Sequence, residues 1–307
     1  MIDLLIWSII FAGSLALLIK SSDVFTDSAG KLGVLLGMPS YLVGILIVAV
    51  GTSLPELASS ISAVISGSSE VVIGNVVGSN ISNIALVIGV AALYGNRLPI
   101  RREVLQRDLP ILLGSALLIT ILILDGTFSF WDALFCLAAL ILYIRATVNG
   151  AKHVPPTDQD GKGTQLLLLA LTAGGIFLGA HFAIEGLVHI ADILSFGAEI
   201  IAVTALALGT SLPELSVTIH ATRKGQQGMA VGNVIGSNIF NTFAIMGFPA
   251  LIGSLTIPNS ILVTSLPIMI IVTVLMYVMS ESGKVTKTEG GMFLIFYAAF
   301  IYLAILG

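Results

Sequence analysis

Gly51-Thr52-Ser53-Leu54-Pro55-Glu56 recurs letter for letter at Gly209-Thr210-Ser211-Leu212-Pro213-Glu214. Each copy lies inside a long apolar run, 40–65 for the first and 200–221 for the second. A carboxylate in such a run loses its hydration and has to find partners, a cation or a proton. Pro55 has no N–H, so a carbonyl in the preceding turn loses its helical partner and the ring pushes that turn open. In lipid, freed backbone oxygens persist only where they face a cavity or a ligand. Glycine, two hydroxyls, freed carbonyls and a carboxylate thus share six residues. Such a set of hard oxygen donors suits Na⁺ and Ca²⁺, and without nitrogen or sulfur it suits zinc or copper poorly.

The surroundings of the two hexapeptides fix the class. Hydrophobic residues make up 56% of the 307 and charged residues only 10%, against roughly 25% charged in a soluble domain. Apolar runs long enough to cross a ~30 Å hydrocarbon core recur along the whole length. The expectation is an all-α polytopic membrane protein. Ten spans are predicted, at 4–19 (with an amphipathic continuation to 31), 40–65, 71–94, 109–124, 128–148, 165–184, 200–221, 228–252, 261–279 and 292–306. The first run follows Asp3 and lacks a small-residue cleavage site, so it reads as a retained helix and not a signal peptide. The single cysteine, Cys136, lies in an apolar run and has no internal disulfide partner.

All 13 lysines and arginines support this count. With ten spans they fall on one side, from Lys20 and Lys31 through the Arg97–Arg107 cluster to Lys284 and Lys287. The positive-inside bias makes that side cytoplasmic, which puts both termini outside in a multi-pass cell-membrane protein. The arginine cluster reads as topology and lipid headgroup contact; nothing points to nucleic acid.

The hexapeptides are 158 residues apart, and the same offset aligns Gly74-Asn75-Val76-Val77-Gly78-Ser79-Asn80-Ile81-Ser82-Asn83 with Gly232-Asn233-Val234-Ile235-Gly236-Ser237-Asn238-Ile239-Phe240-Asn241 without a gap. Asp27 pairs with Glu185 in the same frame, both near expected span ends, where a solvated or capping carboxylate is the plain reading. The chain therefore divides into residues 1–148, a polar linker 149–163 carrying Pro155-Pro156, and residues 164–307. Five spans per half is an odd number, so the second half enters the membrane inverted. Inverted repeats with interrupted helices point to a midplane site between them, here between spans two, three, seven and eight.

Those four spans supply the chemistry. Glu56 and Glu214 are preceded by Thr52, Ser53, Thr210 and Ser211, while Ser79 with Asn83, and Ser237 with Asn241, are four apart and share a helix face. Convergence would surround one point with two carboxylates, amides, hydroxyls and loose carbonyls. Ca²⁺ takes six to eight oxygens, and the same cage also divides into smaller sites for Na⁺. Competition for shared carboxylates gives a physical reason for exchange. The serine hydroxyls have a second use, bonding the carbonyl one turn back, and the paired glycines also serve close helix packing. His181, His189 and His220 show no metal-ligand spacing and read as incidental; Asp132 beside Trp131 reads as interfacial.

Gly-Thr-Ser-Leu-Pro-Glu followed by Gly-Asn-x-x-Gly-Ser-Asn, twice over, resembles the two α-repeats of the cation/Ca²⁺ antiporter superfamily, and most of all its prokaryotic sodium/calcium exchangers. The resemblance covers essentially the whole chain. It implies that Glu56 and Glu214 are shared by a calcium site and sodium sites, with the carbonyls of Thr52 and Thr210 completing the calcium site. It implies that Ser53 and Ser79 line one sodium site and Ser211 and Ser237 its mirror image, with carbonyls from Ala49 and Ala207, and that Asn83 and Asn241 flank the centre. It also implies that spans one and six slide against the other eight. No cofactor is implied beyond the transported Na⁺ and Ca²⁺. Potassium-dependent relatives carry Asp where Asn241 stands, and the proton-coupled branch carries a glutamate near Val77 or Ser79. Both departures favour sodium coupling, at about three Na⁺ per Ca²⁺ if two carboxylates are shared by both loads. A K⁺- or H⁺-coupled antiporter and a cation channel stay open, and an intramembrane hydrolase lacks a base near Ser53 or Ser211.

Overall fold

The computed structural model describes residues 2–150, 161–194 and 211–306. Among the described residues ten helices follow one another: α1 Ile2–Leu35, α2 Ser40–Ile65, α3 Glu70–Tyr94, α4 Val104–Leu122 and α5 Phe130–Asn149, then α6 Lys162–Ile193, α7 Leu212–Arg223, α8 Gln227–Ala250, α9 Ile261–Ser280 and α10 Lys287–Leu306. Among the described residues, eight of these are long and apolar enough to cross a membrane, α7 and α10 being the exceptions. The expected span over 200–221 is described only from Ser211 onward, so its first half lies outside the described residues.

Two helices run well past the ends read from hydropathy. α1 spans 34 residues and α6 spans 32, about 50 Å each at 1.5 Å per residue. Nothing in 20–35 breaks a helix, and the first stop is Gly37, whose φ of 67° no β-branched side chain tolerates well. Thr26 on this stretch hides its hydroxyl in the helix's own backbone, Oγ1 donating to the Ser22 carbonyl at 2.7 Å. Asp27 and Glu185 therefore sit inside helices and not at their ends.

α1 and α6 pack on each other. A Cβ added at Gly175, Gly179 or Gly186 would meet Ser21, Leu18 and Phe11 respectively. The partners step backwards as α6 advances, so the two helices run antiparallel, with small residues letting the backbones touch. The centre belongs to α3 and α8, where 78% and 94% of the most apolar stretch is buried, against 17% in α1. α8 packs on α2 and α7, and α3 packs on α7 and α10; α4 lies along α9, and α5 along the end of α8.

The α2–α8 contact is the closest. A Cβ on Gly44 would come within 2.9 Å of the Asn233 backbone nitrogen, and one on Gly236 within 2.7 Å of the Ile45 carbonyl. Two short ribbons join loops of different halves. β1 (Arg97–Pro99) pairs antiparallel with β4 (Lys284–Thr286), setting Leu98 opposite Val285. β2 (Thr127–Phe128) pairs with β3 (Leu255–Thr256), setting Phe128 opposite Leu255. Ser129 caps α5 in a capping box with Asp132, whose carboxylate accepts from the Ser129 N–H at 2.7 Å, so Asp132 has a defined local job.

Candidate functional site

Pro55 sits inside α2, and the π-helical stretch Gly44–Val48 precedes the motif. Two further π-helical stretches, Asn83–Ile88 and Asn241–Ile245, begin at the two expected asparagines. A π-helical turn widens the backbone and loosens its usual pairing, a habit of functional sites. Offsetting 83 by 158 gives 241, so the irregularity repeats with the sequence.

The expected carboxylates come together in the interior. Glu56 is 4% and Glu214 1% exposed. Ser53 Oγ on α2 donates to Glu214 Oε1 on α7 at 3.3 Å, linking the first hexapeptide to the second. Glu56 Oε1 and Oε2 and Glu214 Oε2 are buried without a hydrogen-bond partner among the described residues. So are Ser211 Oγ, Ser237 Oγ and both amide ends of Asn83 and of Asn241. Burying so many acceptors without partners costs of order 1–3 kcal/mol each, unless a cation, water or proton compensates. The donor set is oxygen-rich and doubly negative when ionised, which fits Ca²⁺ or several Na⁺ and no softer metal.

The remaining expected ligands divide. Thr52 Oγ1 lies 3.3 Å from the Ala49 carbonyl and 3.3 Å from Asn233 Oδ1. Ser79 Oγ donates to Asn75 Oδ1 at 3.4 Å, so one expected sodium ligand already has a local partner. Ala207 and Thr210 lie outside the described residues.

Asn75 and Asn233 belong to the site's support, a role that sequence reading did not assign them. Asn75 Nδ2 donates to Ser60 Oγ at 3.3 Å, and Asn233 Nδ2 to Thr218 Oγ1 at 3.0 Å. Both pairs are related by the 158-residue offset, each tying a glutamate helix to its neighbour. Polar residues recurring at Ser60 and Thr218 in apolar helices were the available signal. At the centre, Asn238 Nδ2 donates to the Asn80 carbonyl at 3.3 Å, and Asn80 Nδ2 to Thr242 Oγ1 at 2.9 Å, joining α3 to α8.

Glu56 also lines a cavity of about 340 Å³ together with Pro55, Ser59, His181, Glu185 and Pro213. Of the four histidines, His153 lies outside the described residues; His189 stacks on Trp7 and His220 bonds the Ser216 carbonyl, whereas His181 stands at this opening beside Glu185, 3.9 Å away.

The family described as sodium/calcium exchanger protein matches over residues 6–148 and again over 164–306. Sodium/calcium exchanger MaX1 of Methanosarcina acetivorans is 33% identical over 94% of this chain and 95% of its own. Inner membrane protein YrbG of Escherichia coli is 32% identical over 78% of this chain and 77% of its own. Among solved structures, the sodium-calcium exchanger NCX_Mj, soaked with 2.5 mM Na⁺ and 0.1 mM Sr²⁺, superposes with a TM-score of 0.86 at 28% identity, covering 97% of this chain and 99% of that one.

Proposed function

Since the chain belongs to the sodium/calcium exchanger family, we propose that it is a secondary antiporter exchanging Na⁺ for Ca²⁺ by alternating access, at about three Na⁺ per Ca²⁺. The observation that carries this reading is the set of partnerless buried oxygens on Glu56, Glu214, Asn83, Asn241, Ser211 and Ser237. Glu56 and Glu214 serve both loads; Thr52 and Thr210 add carbonyls for Ca²⁺. Ser53 with Ser79, and Ser211 with Ser237, serve Na⁺ with carbonyls of Ala49 and Ala207.

The scaffold we propose is ten membrane spans in two inverted five-span repeats, 1–148 and 164–307, with basic loops cytoplasmic and both termini extracellular. Three features support it. α1 and α6 run antiparallel. β1 and β3 lie 158 residues apart, as the 127–128 and 285–286 stretches do, so the two ribbons are copies of one pairing. Each ribbon joins two loops that this topology puts on the same face.

Reconstituted protein in sealed vesicles should take up ⁴⁵Ca²⁺ only against an outward Na⁺ gradient. A K⁺ or H⁺ gradient alone should drive none, since Asn241 supplies an amide where a third carboxylate would favour K⁺. Uptake under a K⁺ or H⁺ gradient moves the protein to the alternative antiporters, and uptake without any counter-gradient makes it a channel.

Exchange should also carry charge. Two carboxylates balance one Ca²⁺, but three Na⁺ leave one net positive charge, worth ~2.3 kcal/mol per 100 mV of membrane potential. A 60 mV change, set with valinomycin, should shift the Na⁺–Ca²⁺ balance point about tenfold in calcium ratio. A voltage-independent balance point would rule out the three-for-one count.

A further inference from the structure

We propose that Asp23, Asp27 and Lys224 are positioning residues that hold the cytoplasmic end of the ion pathway shut, so that this conformation presents Glu56 to the opposite face. The proposal rests on the alternating-access reading above. Asp23 and Asp27 are one turn apart on α1, and Lys224 ends α7. The Lys224 ammonium stands 2.5 Å from Asp23 Oδ1 and 2.8 Å from Asp27 Oδ1, and it also donates to the Asp23 carbonyl at 3.3 Å. One cation thus ties α1 to the α7–α8 turn, bridging positions about 200 residues apart. Burial alone would depress Lys224, but the two carboxylates outweigh it and hold its pKa above the usual lysine value, so it stays charged.

Between the two aspartates on α1, Phe25 is buried with its ring against the first motif. A Cβ added at Gly51 would fall 2.7 Å from Phe25 Cζ. Latch and plug therefore act on the same stretch of α1, one by charge and the other by bulk.

The repeat supplies an internal control. Advancing Asp23, Phe25 and Asp27 by 158 gives His181, Ala183 and Glu185 on α6, and stepping Lys224 back by 158 gives Ser66 at the end of α2. Ser66 carries no charge and donates its hydroxyl to the Ser62 carbonyl of its own helix. Ala183 cannot fill the space of a phenylalanine. At that end His181 and Glu185 line the cavity that reaches Glu56. Equivalent positions are clamped and filled at one end of the molecule, whereas at the other His181 and Glu185 border an open cavity. The asymmetry lies in the sequence, so it biases the resting conformation and is not an accident of one snapshot.

Breaking the latch should move population from the outward-open to the inward-open state, a change that two cysteines can read in opposite senses. Ser59→Cys lines the open cavity, and Val217→Cys, its equivalent 158 residues on, is fully buried. Each is made in the full chain and probed with a membrane-impermeant thiol reagent, in intact cells for Ser59→Cys and in inverted vesicles for Val217→Cys. Cys136 is buried and stays silent.

Lys224→Ala should slow labelling at Ser59→Cys and speed it at Val217→Cys, changing the ratio of the two rates about threefold to fivefold for a partly exposed bridge. Lys224→Arg should behave as the parent. The charge exchange Lys224→Asp with Asp27→Lys should restore the parent ratio, and it keeps the test decisive if Lys224→Ala fails to fold. General loosening would speed labelling at both positions. That result, unchanged rates in Lys224→Ala, or no restoration in the exchanged pair would each overturn the latch. The labelling ratio needs no ion gradient, so loss of Na⁺–Ca²⁺ exchange in the parent would overturn the functional reading and leave the latch to stand or fall alone.

Discussion

Glu56→Gln and Glu214→Gln are each expected to lower sodium-driven calcium uptake by about a hundredfold or more, the result of removing one member of a buried charge set. The amide keeps the shape of the side chain but not the charge that a divalent ion needs in a low-dielectric site. The same geometry predicts that the fold survives. Both oxygens of Glu56 and Oε2 of Glu214 hold no hydrogen bond among the described residues, so the carboxylates are not what binds the helices together. Glu214→Gln keeps an oxygen to accept from Ser53. Thermal midpoints in detergent should therefore stay at the parent value or rise, because a repelling buried charge is gone. Flux assays and melting curves on the same preparations check both halves. Uptake near the parent rate in either variant would remove that glutamate from the ion site.

The opposite pattern is expected at Gly44. Tyr41, Gly44 and Ile45 press α2 onto α8, and any Cβ on Gly44 meets main-chain atoms of Met229, Gly232 and Asn233, which cannot swing aside. Gly44→Val should force the two helices apart at a cost of about 1–3 kcal/mol, lowering the melting midpoint by roughly 2–5 °C. It should also cripple exchange, because the Thr52–Asn233 contact lies one to two turns further along the same seam. Gly114→Ala, where an added methyl meets no described atom within 4 Å, is the matched control. A Gly44→Val protein with parental melting and flux would show that the seam yields easily and that the site does not depend on it.

Much of this was legible in the chain. The duplicated hexapeptide and the fixed offset of 158 residues marked Glu56, Glu214, Ser211, Ser237, Asn83 and Asn241, and each of these carries a buried polar atom without a partner among the described residues. Repetition is readable because it needs no knowledge of distance. What stayed hidden depended on distance or on backbone detail. Lys224 and Asp23 are 201 residues apart, and nothing local to either announces the other. Only the last turn of α1, past the expected amphipathic continuation to 31, went unread, because hydropathy falls where charge rises even though no residue there stops a helix. The π-helical turns at Asn83 and Asn241 leave no mark on composition. Asn75 and Asn233 were visible as letters of the motif, but only the meeting of helices assigns them to Ser60 and Thr218.

The two β-ribbons have a mechanical meaning. Each buries an apolar pair, Leu98 with Val285 and Phe128 with Leu255, all at 1% exposure or less. They work as rivets through opposite ends of a chassis made of α3, α4, α5, α8, α9 and α10. Shearing one half past the other at either rivet would tear out backbone hydrogen bonds and pull a buried pair into the open. The loops next to α1 and α6 carry no such rivet among the described residues, and those two helices grip chiefly each other across a seam of glycines. The stiffness of the molecule is unevenly distributed, and its softest joint runs beside Glu56.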